Sequence, residues 1–131
     1  MRQEVADTIQ DAHHDLATAR DMVAAGRWKW AVFCARHAVE KMLKCGYPLL
    51  LNERWPHTHN LVAMANECFP DMPDDVLEAV QRLGPFHAST RYANAAGGPP
   101  FRVFGKANAE EAVAWATQAM QWLGERLRST S

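Results

Sequence analysis

The first 25 residues carry the pattern that most restricts the fold, a long apolar seam at helical spacing. Its members are separated alternately by four and three residues: Val5, Ile9, Ala12, Leu16, Ala19 and Val23. Apolar residues at this spacing lie on one face of an α-helix, and that face needs a second surface to cover it. Gly26 has the chemistry of a helix C-cap. The seam therefore predicts a first helix over residues 2–25.

A second helix, predicted from Trp28 to Cys45, follows almost at once. Its apolar residues recur at helical spacing: Val32, Ala35, Val39, Met42 and Leu43. A connection this short favours an antiparallel helical hairpin. Trp28 and Trp30 are two residues apart and cannot share one helix face, so one of them is expected at an interface or under a loop.

Breaker residues divide the middle of the chain. Gly46 and Pro48 end the second helix, and residues 46–57 are predicted to form a loop. Four apolar side chains are expected to fold this loop back on the body: Leu49, Leu50, Leu51 and Trp55. A third helix is predicted over residues 58–68 with Thr58 as its N-cap. A fourth begins at Asp74 and ends near Gly84.

The last part of the chain combines an irregular stretch with a long helix. Residues 87–107 are predicted to be irregular because they are rich in Gly and Pro, with Phe101 and Phe104 attached to the core. Asn108 and Glu111 resemble a capping box and predict the start of the last helix. That helix has its own seam: Val113, Ala116, Met120, Leu123 and Leu127. The chain is therefore predicted to be all-α, one domain over residues 1–131, an antiparallel up-and-down four-helix bundle with an additional short helix.

Composition excludes several classes of protein. The net charge is −1, so any contact with nucleic acid has to come from a local cluster of basic residues. Three cysteines without CxxC spacing argue against a disulfide framework and against a zinc knuckle. We find no signal-peptide pattern and no apolar run long enough to span a membrane, which predicts a soluble cytoplasmic protein without membrane contact. His13, His14 and His57 have no completing acid or Cys set, so neither a metal nor another cofactor is predicted.

The second helix also carries closely spaced charges. Glu40 lies four residues after Arg36 and four before Lys44, so both pairs can meet across one helical turn. His37 and Lys41 lie on the same two turns. The spacing alone is equally compatible with an ordinary solvated face.

Three motifs in order carry a resemblance to a known family. The helix segment Phe33–Lys44 contains Ala-Val-Glu-Lys, His59-Asn60-Leu61 follows a Pro-containing loop, and Thr90-Arg91-Tyr92 comes after the third helical region. This arrangement resembles HEPN domains (higher eukaryotes and prokaryotes nucleotide-binding). The resemblance extends over nearly the whole chain and implies the same helical bundle.

The resemblance also implies a binding site and partners. The matching residues would line a polar groove between helices or at a dimer seam: His37, Glu40, Lys41, Lys44, His59, Arg91 and Tyr92. Lys44 and Arg91 would hold phosphate, and Tyr92 would stack on a base. The resemblance further implies a prokaryotic protein: family members are often homodimers, and many occur beside a minimal nucleotidyltransferase in toxin–antitoxin or defence-related pairs. The alternative is that Glu40, Lys44 and Arg91 form an ion network that fixes helix packing.

Ribonucleases of this family use an Arg-x4–6-His motif, in which His transfers protons and Arg stabilises phosphate charge. The string occurs twice, as Arg54…His59 and Arg82…His87. About one match is expected by chance in a chain of this composition. Arg54 lies in the predicted loop, Gly84 interrupts the helix before His87, and Arg91 has no His at the required spacing. We therefore predict a non-enzymatic protein that binds nucleotide or RNA-like phosphates or a partner. A metal-independent ribonuclease toxin using Arg82 and His87, and a structural helical module, are the alternatives.

Overall fold

The computed structural model describes residues 2–86 and 97–130, which are helical throughout their regular parts and contain no strand. Six α-helices and one π-helical segment, Tyr47–Leu51, occur in these ranges. The α-helices are α1 Gln3–Ala24, α2 Trp28–Lys44, α3 Leu61–Cys68, α4 Asp74–Leu83, α5 Pro100–Val103 and α6 Lys106–Arg128. The all-α prediction is confirmed. None of the described helices is long and apolar enough to cross a membrane.

Helix α2 lies at the centre of the bundle and packs mainly against α1 and α6; α3 also contacts α2, and α4 packs against α6 and α3. The residues of α2 that face these neighbours are almost entirely inaccessible: Ala31, Val32, Ala35, Ala38, Val39, Met42 and Leu43. Alanine at several of these positions lets the helix backbones approach closely. The predicted seams of α1 and α6 also pack in the core, with only Ile9, Val23 and Val113 partly exposed. The periodicity therefore predicted the long helices correctly.

Gly26 makes the turn between α1 and α2. Its φ of +75° is in the left-handed region, which glycine adopts without a steric penalty. The N–H of Gly26 donates to the carbonyl of Val23, and the N–H of Arg27 donates to the carbonyl of Met22. These bonds satisfy carbonyls at the end of α1 and return the chain at once into α2, as the sequence predicted.

The segment after α2 is more regular than predicted. Residues Tyr47–Leu51 form a π-helix instead of a loop. Pro48 is tolerated because it lies in the first turn, where a backbone N–H has no intrahelical acceptor. The segment ends at Asn52, whose φ is +54°. Leu49, Leu50, Leu51 and Trp55 do pack against the core, as expected.

Gly46 lies where the end of α2 meets the end of α3. A Cβ atom at this position would lie 2.7 Å from the Cβ of Cys68 and 2.9 Å from the ring of Phe69. Cys68 and Phe69 are both buried, so neither can give way easily. The absence of a side chain at residue 46 allows α3 to approach α2 this closely.

Helix α3 begins three residues later than predicted. Its N-cap is Asn60, whose Oδ1 accepts a hydrogen bond from the N–H of Ala63 at 3.0 Å. Thr58 accepts instead from the N–H of Asn60, at 3.1 Å. The predicted cap was wrong because the chain stays extended at Asn60, while the carbonyl of the preceding His59 is bonded to a side chain of α2.

The stretch predicted to be irregular contains helical residues at its end. Residues 87–96 lie outside the described residues, but Pro100–Val103 form α5 and α6 begins at Lys106. Pro100 suits the first position of a helix, because its missing N–H would have no partner there. Asn108 therefore does not start α6; its Oδ1 accepts from the N–H of Gly105, 2.8 Å away, from inside the first turn.

The aromatic predictions for this region are partly right. Phe104 is buried and its ring meets that of Phe86 edge-on at 5.6 Å. Phe101, by contrast, is 65% exposed and does not attach the segment to the core. Trp28 packs against the core whereas Trp30 is 48% exposed, so the two side chains face different ways as predicted.

Candidate functional site

Arg36 joins three helices from a buried position on α2. Its Nη2 donates to the carbonyl of His59, just before α3, at 2.6 Å. Nε and Nη2 both donate to the carbonyl of Gly84, just after α4, at 3.2 and 3.1 Å. Nη1 donates to Glu40 at 2.7 Å. Arg36 therefore satisfies polar backbone groups at the ends of α3 and α4 while remaining paired itself.

Glu40 is the acidic centre of this arrangement. Its Oε1 faces Arg36, while Oε2 lies 3.0 Å from the Nδ1 of His59 and 3.1 Å from the Nζ of Lys44. Burial alone would raise the pKa of this carboxyl. Hydrogen bonds from His59, Lys44 and Arg36 outweigh burial and lower the pKa to about 2. Glu40 therefore remains ionised over the whole physiological range.

The cluster formed by Arg36, Glu40, Lys44 and His59, here called the Glu40 cluster, has more positive than negative charge. Two permanent cations share one carboxylate, and the imidazole of His59 adds a third charge whenever it is protonated. Because a carboxylate only accepts, Nδ1 of His59 carries its proton toward Glu40. The His59 side chain is 54% exposed, so the cluster reaches the surface at this residue.

A surface groove opens beside the Glu40 cluster. Its volume is about 410 Å³. The residues that line it come from α2, the start of α3 and the end of α4: Arg36, His59, Asn60, Leu61, Val62, Gly84 and Pro85. Its walls are mainly apolar, and its polar side chains converge at the N-terminus of α3. A pocket of this kind fits a small ligand with one charged end.

Other predicted site residues lie elsewhere. Lys41 points to α1, with its Nζ 2.8 Å from Asp15 and 3.5 Å from Asp11. Burial would lower the pKa of Lys41, but the hydrogen bond and the charge of Asp15 raise it above the usual value. The ring of His37 meets that of Phe33 on the outer side of α2. Arg91 and Tyr92 lie outside the described residues. Three predicted residues thus come together: Glu40, Lys44 and His59.

The two Arg…His strings have different surroundings. Arg82 is exposed, bonded to Glu78 at 2.7 Å and positioned over the ring of Trp115 on α6. Arg82 does not line the groove beside the Glu40 cluster, and His87 lies outside the described residues. Arg54 lines another pocket, together with Trp55 and His57, so it does not share a pocket with His59.

Arg36 was expected to pair with Glu40 across one helical turn, but its further contacts were not predicted. The contacts that give it importance reach His59 and Gly84, which are 23 and 48 residues away. No local pattern marks such contacts. The Arg in front of the Ala-Val-Glu-Lys string was the one available signal.

The described residues provide neither a metal site nor an ionised buried thiol. No group of three or more His, Cys, Asp or Glu side chains within the described ranges could hold a metal ion. Burial raises the pKa of the Cys45 and Cys68 thiols to about 12, so both are protonated at neutral pH. All three cysteines, including Cys34, are unbridged.

Comparison with known proteins agrees with this architecture. The HEPN domain family pattern matches residues 5–127, so the chain belongs to the HEPN domain family. TT1696 from Thermus thermophilus has a similar crystal structure, with a TM-score of 0.84 and 28% identity over 95% of this chain and 98% of that one. ST0689, an archaeal HEPN homologue, shares the fold with a TM-score of 0.79 and 23% identity over 97% and 99% of the two chains. No curated protein matches the sequence significantly.

Proposed function

We propose that this HEPN protein is a non-enzymatic binding protein whose ligand carries a phosphate group, as a mononucleotide does. The ligand lies in the groove beside the Glu40 cluster, with its phosphate at the His59 end and its apolar part against Leu61, Val62 and Pro85. Arg36 and Glu40 are positioning residues, because both are buried and bonded to the protein.

One observation carries the proposal: Glu40 is shared by two permanent cations and a histidine. The carboxylate neutralises only one of these charges, so the cluster attracts an anion. His59 lies within both the cluster and the groove lining, and its ring is about half exposed. Because Nδ1–H is directed at Glu40, the imidazole donates a charge-assisted hydrogen bond to a phosphate oxygen from Nε2 when the ring is protonated.

The start of α3 adds to this attraction. The first N–H groups of any helix have no intrahelical acceptor, and they carry the positive end of the helix dipole. Leu61 and Val62, which line the groove, are the first two residues of α3, while Asn60 caps the N–H of Ala63. Helix N-termini bind phosphate for this reason. Arg91 and Tyr92 belong to the proposed ligand-binding set through the family resemblance alone.

The non-enzymatic part of the proposal is supported by the surroundings of Arg82. This arginine is held by Glu78 and Trp115, away from the groove that contains His59. A ribonuclease that used Arg82 would need to release it from both contacts. RNA cleavage by the pure protein that is lost in the His87→Ala variant would contradict the non-enzymatic assignment.

Calorimetric titration with AMP, adenosine and inorganic phosphate tests the binding proposal. We expect AMP to bind and adenosine to bind at least about tenfold more weakly, because it lacks the charged end. His59→Gln should weaken AMP binding by about three- to tenfold, because it removes the imidazole from the groove and keeps a polar side chain there. Equal affinity for AMP and adenosine, or no binding of AMP, would contradict the proposal.

His57→Gln is the matched control. His57 is exposed on the same loop, two residues before His59, but it lines a different pocket with Trp55. The same chemical change at residue 57 should leave AMP affinity unaltered. A similar loss in both variants would indicate a general effect of loop charge rather than a site at His59.

A further inference from the structure

The start of α1 and the segment between α2 and α3 enclose a second pocket, with a volume of about 420 Å³. Residues 2 and 4 line one side of it, and residues 48, 52–55 and 57 line the other. Pockets that hold small molecules have about 300–1,000 Å³. No lining residue is shared with the groove at His59. A ligand in this second pocket is therefore independent of the function proposed above.

Contacts between distant parts of the chain hold the two sides of this pocket together. Nη2 of Arg2 donates a hydrogen bond to Oδ1 of Asn52 at 3.1 Å, across 50 residues of sequence. The backbone of Asn52 is left-handed, and the N–H of the next residue, Glu53, donates to the carbonyl of Tyr47 at 3.0 Å. Tyr47 is itself buried, and its hydroxyl donates to Glu67 at 2.8 Å. The pocket is therefore formed by the fold before any ligand arrives.

Two apolar side chains form part of the lining. Pro48 is buried in the first turn of the π-helical segment. Trp55 packs against the hydrophobic core and is only partly exposed, so its large ring is held in place at the pocket. Fixed apolar surface of this kind binds the apolar part of a ligand at little entropic cost.

The pocket also contains charges of both signs that do not neutralise one another. Glu4 and Glu53 contribute carboxylates, and Arg54 contributes a guanidinium. Within residues 2–86 and 97–130, none of these three side chains takes part in an ion pair. A guanidinium has five N–H donors, and a carboxylate accepts only. The pocket can therefore satisfy a ligand that carries an anion and a cation together.

We propose that this pocket, here called the Trp55 pocket, binds a free α-amino acid with an apolar side chain. The α-carboxylate accepts hydrogen bonds from the guanidinium of Arg54. The α-ammonium donates to the carboxylates of Glu4 and Glu53. The apolar side chain of the ligand packs against Trp55.

The mixed charge of the Trp55 pocket favours an amino acid over other small ligands. A phosphate group would bind Arg54, but the two glutamates would repel it and would remain unpaired. A simple amine would pair with the glutamates and leave Arg54 without an acceptor. In a polypeptide the terminal ammonium and carboxylate lie at opposite ends of the chain. A free amino acid carries both charges on one carbon atom and fits the pocket as a unit.

Calorimetric titration with three ligands that share one side chain tests the inference. They are L-phenylalanine, N-acetyl-L-phenylalanine, which lacks the ammonium, and L-phenylalaninamide, which lacks the carboxylate. At about pH 6, where both amines are protonated, we expect L-phenylalanine to bind and each derivative to bind at least about tenfold more weakly. The derivatives also represent the C-terminus and the N-terminus of a polypeptide.

Variants of the charged residues should remove one discrimination each. Arg54→Gln should weaken L-phenylalanine binding by about tenfold and abolish its advantage over L-phenylalaninamide, because the carboxylate no longer has a partner. Replacement of both acids, Glu4→Gln with Glu53→Gln, should instead abolish the advantage over N-acetyl-L-phenylalanine. A general loss of structure would not produce two such different patterns. All three residues are exposed, so the variants should fold.

Matched controls place the same changes outside the Trp55 pocket. Arg102→Gln and Glu125→Gln alter exposed residues that do not line it, and both should leave the affinity for L-phenylalanine unchanged. His59→Gln should also preserve L-phenylalanine binding, and Arg54→Gln should preserve AMP binding. The two sites can therefore fail separately.

Four results would overturn the inference. Binding of N-acetyl-L-phenylalanine as tight as that of L-phenylalanine would assign the pocket to the C-terminus of a polypeptide. Equally tight binding of L-phenylalaninamide would assign it to an N-terminus. No binding of either L-phenylalanine or L-leucine would show that the pocket does not hold an apolar amino acid. Displacement of L-phenylalanine by AMP would show that the Trp55 pocket and the groove are not separate sites.

Discussion

Glu40 and Lys41 are adjacent on α2 but belong to ion networks of opposite composition. Glu40 faces the start of α3, where one carboxylate is shared by Arg36, Lys44 and His59. Lys41 faces α1, where one ammonium is shared by Asp11 and Asp15. The first network has excess positive charge and the second excess negative charge. A single helical step thus separates a site suited to anions from one that repels them.

The two networks also differ in how deeply their carboxylates are buried. The Glu40 side chain is only 7% exposed, whereas Asp15 is 24% and Asp11 72% exposed. Ion pairs are strongly coupled to stability only where solvent cannot replace a lost partner. The comparison therefore predicts large effects from changes around Glu40 and small effects from changes around Lys41.

The largest effect is expected from Arg36→Met. Methionine fills much of the volume but leaves Glu40 buried beside fewer cations, and it removes the donors to His59 and Gly84. Breaking a buried pair from one side costs about 3–5 kcal/mol of unfolding free energy. Urea denaturation measures the loss. A decrease below about 1 kcal/mol would show that the buried network does not stabilise the fold.

An acid titration of stability is expected to give the next largest effect. The pKa of Glu40 in the folded protein is about 2, below its ordinary value of 4.5. The stabilisation from its ionised form is therefore complete above pH 4.5 and is lost as the pH falls toward 2; the shift corresponds to about 3 kcal/mol. Glu40→Gln should destabilise the protein at pH 7, and its difference from wild type should shrink over this window. A pH-independent difference would contradict the assignment.

Lys41→Met sharpens the comparison with the other network. We expect a loss of about 1 kcal/mol in unfolding free energy, because Asp15 is only partly buried and Asp11 is solvated. AMP affinity should not fall, since Lys41 faces away from the groove. A fall in AMP affinity as large as that caused by His59→Gln would contradict this prediction, because it would show that the network around Lys41 also affects the groove.

Arg82→Ala should give the smallest effect. Arg82 and Glu78 are both more than half exposed, so their pair is worth no more than about 0.5 kcal/mol. Thermal unfolding of this variant provides the baseline for an exposed pair on the same protein. A loss comparable to that in Arg36→Met would mean that exposure does not distinguish the two arginines.

Local pattern predicted part of the Glu40 cluster, and tertiary structure supplied the rest. Both Arg36–Glu40 and Glu40–Lys44 are four residues apart, so the spacing in the sequence predicts both pairs. The choice between solvent and core was not visible, because it depends on contacts of that face with His59 and Gly84, which are distant in the sequence. The contact from Arg36 to Gly84 lies beyond the reach of any local spacing rule.

Helix ends were predicted less well than helix interiors for a similar reason. Periodic apolar residues specify the interiors of α1, α2 and α6 directly. A cap depends on which of several nearby polar side chains forms the hydrogen bond to the backbone. Asn60 rather than Thr58 caps α3, and Asn108 bonds backward to Gly105 instead of starting α6. Where two residues that can both cap a helix lie at neighbouring positions, the sequence alone does not decide between them.

The tight contact at Gly46 has a consequence for the far end of α3. This helix has eight residues and is about 12 Å long, short enough to shift as a rigid unit. Any side chain at residue 46 must displace Cys68 and Phe69 at its C-terminal end. His59 and Asn60 stand at the opposite end and would be carried with it. Substitutions at a glycine that touches neither ligand nor cluster should thus act on ligand affinity at a distance.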